Sequence, residues 1–97
     1  MTTYDKHSAH KMRETLINLE HEMKKIENNI LYREEQLEDA EKTLEYNKKH
    51  NYDNIFYYNS IRLQTIDIQM ERLKRDRMKI EIENMEESLR MTTQKKQ

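Results

Sequence analysis

Apolar side chains recur at alternating steps of four and three residues through the first half of the chain. The series begins at Met12 and ends at Leu44, and Arg33 is the only charged residue that interrupts it. A stripe this narrow, sustained over four heptads and flanked by Glu and Lys, is typical of a coiled-coil seam. The sequence therefore predicts a helix over about residues 8–47, with a seam formed by Leu16, Leu19, Met23, Ile26, Ile30, Leu37 and Leu44.

A turn is predicted where this seam loses its apolar residues. The next heptad positions are occupied by Asn47, Asn51 and Asn54. Asparagine is unfavourable inside a helix because its short amide competes for backbone hydrogen bonds, and it tolerates the left-handed conformation. We therefore expect a turn over about residues 48–54, followed by a helix that Asp53 or Asn54 caps.

The second helix, predicted over about residues 55–92 with a frayed tail at 93–97, has apolar residues on two faces. At 100° per residue, Ile61 lies roughly 160° from Leu63, so the two faces cannot contact the same neighbour. We expect such a helix to lie between its hairpin mate and a second molecule. One face carries Leu63, Ile66, Met70, Leu73 and Ile80, and the other carries Ile61, Ile68, Met78, Ile82, Met85 and Leu89.

The distribution of charge favours folding the chain back on itself. Residues 10–46 carry six basic and ten acidic groups, whereas residues 47–79 carry eight basic and four acidic groups. The predicted fold is therefore all-α, an antiparallel helical hairpin of the coiled-coil type in a single domain. The alternative is one long helix in a parallel coiled-coil dimer, because the heptad frame of Leu19 continues at Ile61.

A hairpin folded back around residue 54 or 55 predicts which residues face each other. It brings Arg33 level with Asp76 and places Glu34 near Lys74. Apolar positions also meet in this register, namely Leu37 with Leu73, Met23 with Met85 and Leu16 with Met91.

A lone hairpin cannot bury all of these apolar side chains, because each helix has only one neighbour. Self-association is the simplest remedy. We expect a homodimer in which two hairpins form an antiparallel four-helix bundle.

Composition narrows the possible functions. The chain has 34% hydrophobic and 38% charged residues, a net charge of -1, and no glycine, proline or cysteine. It lacks a glycine-rich nucleotide loop, an HExxH motif and a cysteine nucleophile. His7, His10 and Glu14 could share a helix face around a divalent metal, but a solvated N-terminus explains them more simply. We expect no enzyme activity, no metal site and no cofactor.

Nothing in the sequence indicates a membrane. The longest apolar-leaning segment without charge, residues 54–61, is far shorter than the ~20 residues of a membrane span, and the N-terminus does not resemble a signal peptide. The absence of cysteine agrees with a reducing compartment. We expect a soluble cytoplasmic protein.

Two segments are candidate binding sites. Aromatic residues cluster after the turn, where they either close the end of the bundle or form an exposed contact for a protein partner. The partner-binding residues predicted from this cluster and from one face of the second helix are Tyr52, Phe56, Tyr57, Tyr58, Ile61 and Ile68. A basic segment could contact phosphates, although pairing with the acidic first helix also explains it. Its residues are Arg72, Lys74, Arg75, Arg77 and Lys79.

Together these patterns predict a non-enzymatic protein-protein interaction module, such as an adaptor, inhibitor or scaffold, that self-associates through coiled-coil helices. The alternative function is a nucleic-acid-binding regulator that uses residues 72–79.

Overall fold

The chain forms two α-helices that pack against each other as a hairpin. The computed structural model describes the backbone of residues 2–94 and the side chains of residues 8–93. Helix α1 spans Thr2–Lys49 and helix α2 spans Ile55–Gln94, and the described residues contain no strand. The predicted all-α helical hairpin is confirmed, and the alternative of one uninterrupted helix is wrong.

Both helices are longer than the sequence pattern indicates. α1 begins at Thr2 rather than at about residue 8, and its apolar series extends one step before Met12 to Ala9, which is fully buried. Residues 93 and 94 of the predicted tail complete α2, and residues 95–97 lie outside the described part of the chain.

An asparagine in the left-handed conformation ends α1. Asn51 has a φ of 57°, which is the conformation that asparagine was expected to supply in this glycine-free turn. The Tyr52 amide donates to the Asn47 carbonyl at 2.9 Å, and the Asn51 amide donates to the Lys48 carbonyl at 3.3 Å. These two bonds form a Schellman motif, which satisfies carbonyl groups that the end of a helix would otherwise leave unpaired.

The start of α2 is held by the residue pair that precedes it. Asp53 Oδ1 accepts a hydrogen bond from the Ile55 amide at 3.1 Å. The Asn54 carbonyl accepts the first helical bond, from the Tyr58 amide at 2.9 Å. Asp53 therefore satisfies one of the four amides that have no partner inside the helix, and its negative charge lies at the favourable end of the helix dipole.

The hairpin contains two compact units, which we describe separately. The turn unit consists of Ile26–Lys74, and the terminal unit consists of the residues up to 25 together with those from 75 onward. In the terminal unit, Leu19 and Met85 line one groove, and Thr92 Oγ1 donates to Met12 Sδ at 3.9 Å. Met91, which the predicted register covered with α1, is half exposed.

In the turn unit, α1 pairs with residues of α2 that lie closer to the turn than predicted. Arg33 Nη1 lies 3.6 Å from Asp67 Oδ2, and not opposite Asp76. Glu34 Oε1 accepts a hydrogen bond from Arg72 Nη2 at 3.2 Å. Both pairs are partly exposed, so they contribute little to stability and follow the register that apolar packing sets.

In the turn unit, α1 contacts the face of α2 that carries Ile68, and the predicted contact between Leu37 and Leu73 does not form. Ile68 is 2% exposed and lines a groove with Leu37 of α1. Leu73, which was expected to contact Leu37, is 68% exposed. Two of the predicted partner-binding residues, Ile61 and Ile68, therefore belong to the inside of the hairpin, where Ile61 is half-buried.

This choice of face has a physical reason in the length of the two apolar series. The series that starts at Ile61 continues to Leu89, whereas the other series, which starts at Phe56, ends at Ile80. Only the first extends far enough towards the end of α2 to cover the N-terminal part of the α1 seam, where Leu19 lines a groove with Met85. The residues of α1 that form this seam are buried at Ile30 and half-buried at Leu16, Leu19, Met23, Ile26, Leu37 and Leu44.

Candidate functional site

The outward face of α2 carries an uncovered apolar stripe. We call its five residues in the turn unit the outer stripe, and they are Phe56, Leu63, Ile66, Met70 and Leu73. Each is between 51% and 86% exposed. The residues are separated by steps of seven, three, four and three, so a straight line of side chains runs along one side of the helix.

The inner face of α2 in the turn unit is more polar than the outer stripe. Its buried and half-buried heptad positions are Ile61, Gln64, Ile68 and Glu71. Only two of these four positions are apolar, whereas five of the six heptad positions from Phe56 to Leu73 on the outside are apolar. Globular chains normally turn their more apolar face inward, whereas in the turn unit of this chain the more apolar face of α2 is the exposed one.

The polar inner positions have local partners. The Gln64 side-chain amide donates to Ser60 Oγ at 3.0 Å, while its oxygen is buried without a hydrogen-bond partner. The Glu71 side chain is only 12% exposed, and its Oε1 lies 3.6 Å from Lys74 Nζ. These groups make the hairpin contact in the turn unit less favourable than a fully apolar seam of the same length.

Aromatic rings cluster around the turn. Tyr46 and His50 have ring centroids 4.2 Å apart, and His50 meets Tyr52 edge-on at 5.9 Å. Lys48 Nζ lies 5.3 Å from the centroid of Tyr58, which is within the range of a cation–π contact. We call these five residues the tip cluster. The rings make contacts mainly with their neighbours in sequence.

None of the four aromatic residues predicted to bind a partner is buried. The exposed fractions are 58% for Tyr52, 86% for Phe56, 38% for Tyr57 and 45% for Tyr58. In the single chain these residues therefore do not close the end of the hairpin. Phe56 belongs to the outer stripe by its spacing, seven residues before Leu63.

The basic segment is paired with carboxylates. Arg72 reaches across to Glu34 of α1, as described above, whereas Lys74 pairs with Glu71 of its own helix rather than with Glu34. The remaining pairs also lie along α2, with Arg75 at 3.3 Å from Asp76 and Arg77 at 3.5 Å from Glu81. The predicted pairing with the first helix thus holds for Arg72, while three of the other basic residues use partners on α2.

The described residues do not bring together three metal-ligating side chains of the His, Cys, Asp or Glu type. His10 Nε2 lies 3.1 Å from Glu14 Oε1 and both side chains are exposed. The side chain of His7 lies outside the described residues.

Within the described part of the chain, neither helix has a stretch with the length and hydrophobicity that crossing a membrane requires.

The outer stripe could have been recognised from the sequence, since both apolar faces of α2 were visible there. The sequence does not show directly which of the two faces α1 covers. Because α1 can cover only one face of α2, the indication available in the sequence was the length of the two series, since the one that starts at Ile61 extends further along the helix.

Comparison of the sequence with protein-family models, with curated proteins and with solved structures found no match to this chain.

Proposed function

We propose that the chain is a non-enzymatic protein-protein interaction module that self-associates through the outer stripe of α2. The observation that carries this proposal is the exposure of five apolar side chains at heptad spacing on a helix whose other face is already occupied. Two such stripes, packed together, make a four-helix assembly in which the two α2 helices lie between the two α1 helices, so that each α2 has a neighbour on both sides.

The exposed area supports association. The accessible surface of the chain is 8011 Å², whereas a compact monomer of its mass has about 6,000 Å². Complete burial of a large apolar side chain is worth about 1.5–3 kcal/mol, so covering the exposed part of the outer stripe is worth roughly 5–10 kcal/mol per chain.

A second copy of the chain suits this surface. Association of two identical chains about a two-fold axis is isologous, so an apolar stripe needs only a stripe of the same kind on its partner. The net charge of -1 means that two copies have almost no long-range repulsion to overcome. A module of this kind acts as an adaptor, inhibitor or scaffold, because its chemistry consists of contacts between helices.

Binding of nucleic acid is not favoured by the same geometry. Four of the five basic residues between Arg72 and Lys79 lie within 4 Å of a carboxylate. A phosphate backbone would have to compete with those carboxylates before it could release counterions.

The test is size-exclusion chromatography with light scattering on the unmodified chain and on the double variant Leu63→Gln/Met70→Gln. We expect twice the 12.1 kDa mass of the chain for the unmodified protein. The variant removes four apolar side chains from each interface, which should weaken association roughly a thousandfold or more. Circular dichroism on both proteins shows whether the helices persist.

The matched control is Ile17→Gln/Leu31→Gln, which replaces two α1 residues that are 58% and 59% exposed but lie off the outer stripe. This control should keep the mass of the unmodified chain. A helical monomer at every concentration of the unmodified protein would overturn the proposal, as would equal loss of association in both double variants.

A further inference from the structure

We infer that the second copy binds antiparallel, with the two-fold axis level with Ile68, so that Ile66 of each copy packs against Met70 of the other. This inference rests on the proposed function, because it specifies how the outer stripe packs against the outer stripe of a second copy. It follows from the order of apolar and polar positions along α2, which is one unbroken helix from Ile55 to Gln94.

A two-fold axis fixes all contacts of the stripe once one contact is chosen. If residue i of one copy faces residue j of the other, then j faces i, and the sum of the two numbers is the same for every level pair along the stripe. Pairing Ile66 with the partner's Met70 therefore also pairs Leu63 with the partner's Leu73. All four positions are apolar and more than half exposed in the single chain.

The same sum also pairs residues further from the axis, including Ile80, which follows the outer stripe on the same face of α2. Phe56 falls opposite the partner's Ile80, and both side chains are exposed in the single chain, at 86% and 58%. The two polar positions of the heptad series, Asn59 and Arg77, fall opposite each other. Every apolar position thus meets an apolar one, and the polar positions meet only polar ones.

Neighbouring registers lose this match. Sliding the partner by one heptad in one direction places Asn59 against Met70, and sliding it in the other direction places Arg77 against Ile66. Either change puts a polar or charged group against an apolar side chain inside the contact, where the group is removed from water. The register centred on Ile68 avoids both costs.

A parallel arrangement is disfavoured for a related reason. In a parallel pair each seam residue meets its own counterpart, so Arg77 would face the partner's Arg77 and Asn59 would face Asn59. Two like charges in one seam repel, whereas the antiparallel pairing separates the two Arg77 side chains.

The positions beside the stripe agree with the antiparallel register. Beside the stripe the nearest residues of the two copies are diagonal neighbours, displaced by two residues from the level position. On one side Arg62 is therefore next to the partner's Asp76, which makes two identical pairs of opposite charge around the axis. Next to the axis, Gln69 approaches its own counterpart on one side and Asp67 does so on the other. Each Asp67 already has Arg33 of its own chain 3.6 Å away, which offsets the repulsion between the two carboxylates.

The arrangement places the two turns at opposite ends of the bundle. The two Phe56 side chains are then separated by about 36 Å along the helix, given a rise of 1.5 Å for each residue. Phe56 is the most exposed large apolar residue among the described side chains, and in this arrangement it is covered by the partner's α2 rather than by its own α1.

Disulfide trapping tests this register, and the chain is suited to it because it contains no cysteine. Single variants Leu63→Cys, Ile66→Cys, Met70→Cys and Leu73→Cys are purified and mixed in pairs, reduced, and then oxidised under a glutathione gradient. We expect the mixtures of 63 with 73 and of 66 with 70 to give the mixed disulfide as the main product.

The controls are the mixtures of 63 with 66 and of 70 with 73, which report the two registers displaced by one heptad. Disulfides in these mixtures, disulfides of a single variant with itself, or a dimer that forms no disulfide would each overturn the antiparallel register. Light scattering on the same variants, kept reduced, separates this outcome from failure of the proposed function, because a monomeric chain would overturn both.

Discussion

The left-handed asparagine of the turn allows a sharp test of how the hairpin is specified. Asn51 has a φ of 57°. This left-handed conformation costs most residues roughly 1–2 kcal/mol, because the Cβ atom comes too close to the following carbonyl oxygen, whereas asparagine and aspartate tolerate it better. Replacing Asn51 by Ala should therefore lower the free energy of unfolding by about 1 kcal/mol. Replacing it by Gly should have no cost or should stabilise the chain slightly, because glycine is the preferred residue at this position of a Schellman motif.

Thermal unfolding followed by circular dichroism measures both variants. A change of 1 kcal/mol moves the Tm of a domain of this size by about 4–8 °C. All samples must have the same protein concentration, because association contributes to the apparent stability. Asn51→Gly should unfold at a higher temperature than Asn51→Ala.

The matched control is Asn28, an exposed asparagine in the interior of α1. There the order should reverse, because alanine is the best helix former and glycine is about 1 kcal/mol worse. If Ala were more stable than Gly at both positions, the left-handed turn would be refuted and a continuous helix would be favoured.

Three further predictions concern the cap, the core and the ion pairs. Asp53→Ala should cost about 0.5–2 kcal/mol in urea unfolding because it removes the acceptor of the Ile55 amide, and Asp53→Asn should keep most of that stability. Ile68→Ala should cost about 2–4 kcal/mol in the same assay because Ile68 is 2% exposed, whereas Leu31→Ala at an exposed site should cost less than about 0.5 kcal/mol. Glu34→Gln should cost less than about 1 kcal/mol because the pair with Arg72 is half exposed, and a larger loss that vanishes in high salt would show that this pair holds the register.

Heptad counting and turn chemistry were enough to predict the hairpin. The seam of α1 followed from the spacing between Met12 and Leu44, and the position of the turn followed from three asparagines on that seam. In the turn, Asn51 adopts the positive φ that asparagine tolerates. The Asp53 carboxylate accepts a hydrogen bond from the Ile55 amide. Local chemistry of this kind is carried by a few neighbouring residues and can be recognised without the fold.

The register and the inward face of α2 could not be predicted in the same way. The predicted register followed from the position of the turn and was supported by opposite charges and by apolar pairs, but exposed ion pairs are worth at most about 1 kcal/mol and form with whichever partner is near. Arg33 accordingly pairs with Asp67, and Lys74 pairs within its own helix. Which face of α2 packs against α1 depends on two apolar series that compete for one neighbour. The outcome is set by the total apolar area that the contact covers along both helices.

The outcome of that competition explains why the more apolar face of the turn unit is left outside. Had α1 covered Leu63 and Leu73, the exposed face of the turn unit would have had only two apolar side chains, those of Ile61 and Ile68. Covering the longer series instead leaves five apolar side chains in water. On the proposed function, folding and association are therefore coupled, because the stability that the inner face lacks is supplied when a second copy covers the outer one.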